Sequence, residues 1–148
     1  MKVTHVISIS APPQIVWTYL ENPDKMKLWM AGMVDSVRTN PGELAKGATF
    51  RMRVREGSRV AVYDGEVVEL ERPSMMRISL RGGSFGSMPM IVDYRLCASD
   101  RGVRLEFEQC VQLTGMYRVM TPLFNFFGRI QIRRFMQTLK SLAEAESR

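Results

Sequence analysis

The chain has 148 residues, with 21 lysines and arginines against 15 acidic residues, one histidine and two cysteines. A chain of this length can bury about 70% of its unfolded surface, so we expect one domain over residues 1–148 that is large enough to enclose a cavity. No apolar run reaches the roughly 18 to 20 residues of a membrane span, and neither a leader peptide nor a paired-cysteine framework is evident, which predicts a soluble cytoplasmic protein without a metal site.

Residues 3–10 predict the first strand, which ends at a pair of prolines. Residues 14–21 then carry apolar side chains at the spacing of one helical face, and prolines stand at both ends of this segment. A second short helix is predicted over residues 24–30, where Gly32 ends it. Two short helices therefore separate the first strand from the rest of the chain.

Six further segments alternate between apolar and polar residues, as strands with one buried face do. They cover residues 34–39, 48–56, 59–71, 75–81, 88–98 and 103–113. Short links rich in glycine, proline, aspartate and serine separate them, so consecutive strands are expected to pair as hairpins. The predicted class is α+β, with a curved antiparallel sheet of six to seven strands.

The last segment predicts a long helix, with Thr121 as N-cap and Pro122 as its first residue. Roughly 25 helical residues span about 37 Å, which is close to the length of an 11-residue strand, so one helix can lie along the whole sheet. A helix about 10 to 12 Å wide cannot fill a strongly curved sheet, so we expect a cavity between the two unless side chains occupy it.

Inward positions of the predicted sheet and of this helix carry many of the 12 methionines, which adapt to variable apolar ligands but also fill gaps in ordinary cores. The side chains predicted to line the cavity and bind a ligand are Trp29, Met52, Val54, Val62, Met76, Ile78, Met90, Val92, Tyr94, Phe107, Gln109, Met120, Phe124, Phe127 and Ile130.

Three polar residues are candidates for catalysis. Asp64 and Glu66 share the register of apolar neighbours, although Gly65 could mark a bulge that turns one of them outward. A desolvated carboxylate there could act as general acid or base, while Tyr94 orients or protonates an enolate oxygen. The alternatives are solvated carboxylates and a phenol that only orients a ligand. The register of His5 stays open, and a single histidine suggests no catalytic triad.

The excess of positive charge lies largely on alternating strand positions. Arg51, Arg53 and Arg55 alternate with apolar residues, and Arg77 and Arg81 repeat the pattern. This spacing indicates a solvated sheet face with cross-strand ion pairs. No aromatic residues interleave with these arginines, so no nucleic-acid partner is expected, and an anionic lipid surface is the alternative partner.

The order of elements resembles the START-like, or SRPBCC (Bet v 1-like), superfamily. A first strand precedes a Val16-Trp17-x-x-Leu20 helix, Trp29 follows in a second short helix, and a hairpin-linked meander leads to a final helix containing Leu139-Lys140-Ser141-Leu142-Ala143-Glu144. The segment from Gly65 to Arg72-Pro73 is similar to that family's strand-to-proline turn. The resemblance covers essentially the whole chain and is closest to the polyketide cyclase/dehydrase and lipid transport-like branch.

The resemblance implies a helix-grip fold with a deep hydrophobic cavity, and its members include lipid carriers, ubiquinone-binding proteins and aromatase/cyclases. Two functions from different classes follow: binding or transport of a lipid, quinone or polyketide-like molecule, and a cyclase, aromatase or dehydratase that works without a cofactor. The carrier is favoured because no charged triad is evident. A weaker third hypothesis is a quinone or lipid chaperone that contacts anionic membranes through its basic surface and the exposed part of residues 123–127. A homodimer is left open.

Overall fold

The computed structural model describes all 148 residues and contains seven strands and four helices. In chain order these are β1 (Lys2–Ile9), α1 (Pro13–Glu21), α2 (Pro23–Trp29), β2 (Met33–Arg38), β3 (Thr49–Glu56), β4 (Arg59–Glu71), β5 (Met75–Gly82), β6 (Met90–Ser99), β7 (Gly102–Val111), α3 (Met116–Val119) and α4 (Thr121–Ser147). A single 3-10 turn, Gly83–Phe85, lies in the link between β5 and β6. None of the helices combines the length and apolar character that a membrane crossing requires.

All seven strands form one antiparallel sheet in the order β1-β7-β6-β5-β4-β3-β2. Strands β2 to β7 pair with their neighbours in sequence, as the turn residues predict. The first strand pairs instead with the last, from Lys2 opposite Cys110 to Ile9 opposite Val103. This sheet, the long C-terminal helix and the two short helices after β1 confirm the predicted α+β helix-grip class.

The two short helices are held to each other and to α4. Asn22 lies between them, and its side-chain oxygen accepts a hydrogen bond from the Asp24 backbone N–H at 2.9 Å, which caps α2. The indole of Trp29 donates to the backbone oxygen of Tyr19 at 2.8 Å. The same indole meets the Phe135 ring of α4 edge-on, with ring centroids 6.2 Å apart.

Helix α4 approaches the sheet most closely at β1. Its main contacts are with β1, α1 and α2. One stripe of α4 is buried, at Ile132, Met136, Leu139 and Ala143. Gly128 extends this stripe towards the N-terminus, and a Cβ atom there would lie 2.9 Å from the side chain of Val3. The helix therefore approaches β1 closely where Gly128 has no side chain.

The start of α4 differs slightly from the prediction. The helix includes Thr121, and the residue before it, Met120, makes no side-chain cap. The Thr121 hydroxyl donates instead to the backbone oxygen of Arg118 at 2.8 Å. Thr121 is therefore not the N-cap, because its hydroxyl stabilises the preceding turn.

The register of β4 also differs from the prediction. Gly65 lies opposite Phe50 on β3 and Leu80 on β5, on the face of the sheet that points towards α4, which we call the inner face. A Cβ atom on Gly65 would lie 2.3 Å from the Phe50 ring, so that ring occupies the space of a side chain at Gly65. The irregularity in β4 lies further along, between Val67 and Glu69. Gly65 does not mark a bulge.

This register places three predicted site residues on the outer face of the sheet. Val62, Asp64 and Glu66 alternate with inner-face Tyr63 and Gly65, so the prediction that they face the cavity is wrong. Val62 is 44% exposed, and the Asp64 carboxylate forms an ion pair with the Arg51 guanidinium at 2.9 Å. The cross-strand ion pairs expected for the solvated face are confirmed here and at Arg77 and Asp93, 2.7 Å apart.

Candidate ligand-binding cavity

A cavity of about 840 Å³ lies between the inner face of the sheet and helices α2 and α4. This volume lies within the roughly 300 to 1,000 Å³ of typical small-molecule sites. Of the 36 residues that line it, 24 are hydrophobic, so a molecule that fits it is mostly apolar. The curvature of the sheet leaves this space, because α4 makes its close contacts with the sheet at β1 and lies across the cavity from strands β3 to β6.

Most of the predicted cavity residues line this space. They are Trp29, Met52, Val54, Met76, Ile78, Met90, Val92, Tyr94, Phe107, Gln109, Phe124 and Phe127. Met120 and Ile130 do not line it; they are 41% and 38% exposed on the outside of the protein. Their placement in the cavity was wrong because the N-terminal half of α4 is apolar on several sides, and spacing alone did not show which side faces the sheet.

Other lining residues escaped the sequence prediction. Phe50 and Leu80 share the alternation of Met52 and Ile78, so the pattern could have identified them. Tyr63 and Val67 were hidden by the incorrect register of β4. Further lining side chains come from helices whose orientation depends on tertiary packing, and they include Met26, Met30, Ile132 and Phe135.

Tyr94 and Gln109 are the polar groups best placed to meet a ligand. Tyr94 is 5% exposed, and its ring meets that of Phe107 edge-on at 5.4 Å, yet its hydroxyl makes no hydrogen bond within the protein. Gln109 lies opposite Val92, one inner-face position away from the pair formed by Tyr94 and Phe107, and its amide also has no protein partner. Such diagonal neighbours are about 7 to 8 Å apart, so one ligand can reach both groups.

A second polar group stands at the β3–β4 end of the cavity. The Glu56 carboxylate accepts a hydrogen bond from the Tyr63 hydroxyl and another from the Ser84 hydroxyl at 2.7 Å. Phe85, next in the chain, meets Phe124 of α4 edge-on at 5.8 Å. We call Glu56, Tyr63 and Ser84 the Glu56 cluster. Its bonds hold the β5–β6 link against the β3–β4 hairpin and beside the start of α4.

A family model described as "Polyketide cyclase / dehydrase and lipid transport" matches residues 1–145. The chain belongs to this family. Membership agrees with the resemblance drawn from the sequence and with a ligand-binding role, since the family shares the cavity-forming fold. Among curated proteins, none matches the sequence.

Solved structures show the same fold at low identity. Protein MLL2253 from Mesorhizobium loti aligns with a TM-score of 0.73 at 19% identity, covering 96% of each chain. Protein SA2116 from Staphylococcus aureus, of unknown function, aligns with a TM-score of 0.79 at 11% identity, covering 99% of this chain and 94% of its own. Ara h 8.0201 aligns with a TM-score of 0.67 at 11% identity, covering 94% of this chain and 97% of its own. These similarities support the helix-grip fold of the polyketide cyclase/dehydrase and lipid transport family.

His5, the only histidine of this family member, lies on the inner face of β1 opposite Phe107. Its Nε2 atom is buried and has no hydrogen-bond partner. Burial, and to a lesser extent the positive charge of Arg133, lowers the pKa of His5 below 6.5. The lowered pKa therefore favours the neutral form of the imidazole. His5 does not line the cavity. No cluster of three or more His, Cys, Asp or Glu side chains could hold a metal ion.

We expect two tyrosines to make stability fall at alkaline pH. Burial raises the pKa of both Tyr63 and Tyr94 above 10.0, and the hydrogen bond to Glu56 adds to the effect at Tyr63. A raised folded-state pKa gives stability that is fully present below the unfolded pKa of about 10 and is lost as the pH rises towards the folded value. Urea unfolding at about pH 8 and about pH 11 should show a smaller loss in the Tyr63→Phe/Tyr94→Phe variant than in the wild type. Equal losses of stability in the variant and the wild type would contradict the role of these two tyrosines.

Proposed function

We propose that the protein binds and carries a hydrophobic small molecule, such as a lipid, quinone or polyketide-like compound, in the cavity between the sheet and α4. The observation that carries the proposal is a largely apolar cavity whose wall presents the unpartnered phenol of Tyr94 and amide of Gln109. A ligand with an apolar body and one or two carbonyl or hydroxyl oxygens matches this wall. The lining side chains bind the body, and Tyr94 and Gln109 orient the oxygens.

The two polar groups are better explained by a ligand than by folding. The Tyr94 hydroxyl reaches the cavity but makes no bond within the protein, and phenylalanine at position 94 would keep the packing against Phe107, so the fold does not need the hydroxyl. A ligand oxygen that accepts a hydrogen bond from the phenol would give this hydroxyl a role. A catalytic role for Asp64 or Glu66 is not proposed, because both carboxylates lie on the outer face.

Removal of these polar groups should separate binding from stability. We expect Tyr94→Phe and Gln109→Leu to leave the free energy of unfolding of the ligand-free protein unchanged or raised by up to about 1 kcal/mol, since no protein hydrogen bond is lost. Each should weaken ligand binding by about tenfold, which corresponds to one hydrogen bond of about 1.4 kcal/mol. Tyr63→Phe is the matched control, because it breaks a hydrogen bond to Glu56 and should lower stability.

Native mass spectrometry of freshly purified protein, followed by solvent extraction, identifies the ligand for these measurements. We expect a discrete added mass that extraction assigns to one apolar compound class. If none is retained, titration with fatty acids, quinones and aromatic polyketides provides the test. Failure of all three classes to bind would contradict the proposed function, and so would binding that is unaffected by both Tyr94→Phe and Gln109→Leu.

A further inference from the structure

Helix α4 carries a second apolar stripe whose side chains are exposed. Leu123, Phe126, Phe127 and Ile130 are spaced by three and four residues and are 38–58% exposed. At about 100° per residue, this stripe lies on the side of the helix opposite the buried stripe that contains Ile132 and Met136. Packing on the sheet therefore cannot bury the second stripe.

Helix α3 extends the same apolar surface. Met116 is 87% exposed and Val119 is 84% exposed, and the Tyr117 ring contacts Phe124 with centroids 6.3 Å apart. We call the exposed apolar side chains of α3 and of the first half of α4 the α3–α4 patch; its members are Met116, Val119, Met120, Leu123, Phe126, Phe127 and Ile130. Single exposed apolar residues are normal on protein surfaces, but a contiguous group of this kind marks an interaction site.

The charged side chains on the segment that carries the patch have one sign. Residues 109–143 contain no aspartate or glutamate but include Arg118, Arg129, Arg133 and Arg134. These four arginines make no ion pair, in contrast to the paired arginines on the outer face of the sheet, such as Arg51 with Asp64. The patch thus combines exposed aromatic and aliphatic side chains with unpaired guanidinium groups, as interfacial membrane-binding helices do.

We propose that the α3–α4 patch docks the protein on an anionic phospholipid bilayer. The apolar side chains enter the boundary between headgroups and acyl chains, and the arginines bind the phosphates of the headgroups. A second copy of the chain fits the patch less well, because a two-fold contact through the same surface would bring two sets of unpaired arginines together. Charge complementarity therefore favours the anionic bilayer.

Docking in this orientation connects the bilayer to the cavity. Phe124 and Phe127 border the cavity within the same two helical turns that carry the patch, and Phe85 of the β5–β6 link contacts Phe124. These rings and the β5–β6 link would face the lipid, so an apolar ligand that passes between them would move between cavity and bilayer with little exposure to water. This consequence rests on the proposed function, whereas docking itself does not.

The first test is co-sedimentation with phosphatidylcholine vesicles that contain about 30 mol% phosphatidylglycerol, with pure phosphatidylcholine vesicles as the reference. The wild type should sediment with the anionic vesicles and not with the neutral ones, and added salt should reduce binding. Two triple variants should each lower the partition coefficient by about tenfold or more. The first removes charge, Arg129→Gln/Arg133→Gln/Arg134→Gln, and the second removes apolar surface, Met116→Ser/Val119→Ser/Phe126→Ser. No residue changed in these variants lines the cavity.

A matched control removes the same charge elsewhere. Arg81, Arg95 and Arg101 are exposed; the first two lie on the outer face of the sheet and the third in the β6–β7 turn, so their triple replacement by glutamine should leave vesicle binding close to the wild-type value. Equal losses in both arginine variants would overturn the proposal in favour of general attraction to a basic protein. Absence of binding to anionic vesicles would overturn it too, as would a dimer in sedimentation equilibrium that the serine variant abolishes.

Insertion can be measured directly with Phe126→Trp. The native Trp17 and Trp29 are 5% and 2% exposed, and because Trp29 lines the cavity, the wild-type protein measured under the same conditions provides the background. The new indole should show a blue-shifted emission on anionic vesicles and quenching by brominated acyl chains, and an unchanged emission would overturn insertion. Ligand binding by the serine variant in vesicle-free solution should equal that of the wild type. If the wild type binds ligand but does not bind anionic vesicles, only the docking proposal is contradicted. If it binds the vesicles but no ligand, only the proposed function is contradicted.

Discussion

Replacement of Leu139 by alanine is expected to lower the free energy of unfolding by about 2 to 5 kcal/mol. Leu139 has no exposed surface and lies in the middle of the buried stripe of α4, between Met136 and Ala143. Truncation removes apolar contacts and leaves a void that the close-packed helix and sheet can fill only in part. The measurement is urea unfolding followed by circular dichroism, with the stability change taken from the shift in midpoint at constant slope.

Gln137→Ala is the control for this prediction, because Gln137 is exposed on the same helix and its replacement should change stability by less than about 0.5 kcal/mol. A Leu139→Ala variant as stable as this control would show that α4 does not depend on packing against the β1 edge.

Ile78→Trp should close the cavity to its ligand. Ile78 is only half buried in the protein because its side chain borders the cavity, between Val67 on β4 and Val92 on β6. An indole at this position extends into the space that the ligand body needs. We expect binding to weaken by more than about tenfold, a loss of more than about 1.4 kcal/mol, while the fold is retained. Titration calorimetry with the extracted ligand measures the affinity.

Val62→Trp provides the matched control on the neighbouring strand. Val62 lies on the outer face, so an indole there would point into solvent and binding should remain within about twofold of the wild type. Stability of both variants would be followed by thermal unfolding. Unimpaired binding in Ile78→Trp, or an equal loss in Val62→Trp, would show that the ligand does not occupy this cavity.

The sequence predicted the fold well because most of its signals are local. Alternation, turn residues and helix-starting prolines each act over a few neighbouring positions, and they agree with one another along the whole chain. The register of β4 is an exception. The apolar residues Val60, Val62 and Val68 suggested that the even-numbered side chains of this strand face the cavity. The ring of Phe50 instead fills the space above Gly65, and this selects the opposite orientation, in which odd-numbered residues face inward. That selection depends on packing between β3 and β4, which apolar spacing alone does not reveal.

The candidate site could be predicted where the alternation of a strand allowed only one assignment of its side chains to the two faces of the sheet. On β6, Met90, Val92 and Leu96 place Tyr94 on the inner face without ambiguity. The sequence also showed that the first half of α4 is apolar nearly all round. It could not show which side stays exposed, because that depends on the close approach of Gly128 to β1, a tertiary contact across most of the chain.

The pairing of β1 with β7 also bears on how the protein is synthesised. Backbone partners such as Ile7 and Leu105 lie at opposite ends of the sheet-forming sequence, and α4, which packs on β1, comes later still. Strand β1 therefore has no backbone partner until β7 has also left the ribosome. Contacts so distant in sequence slow folding, and they leave the apolar side of β1 uncovered during translation. Closure of the sheet and packing of α4 are consequently late steps in folding, in which β1 meets β7 and α4.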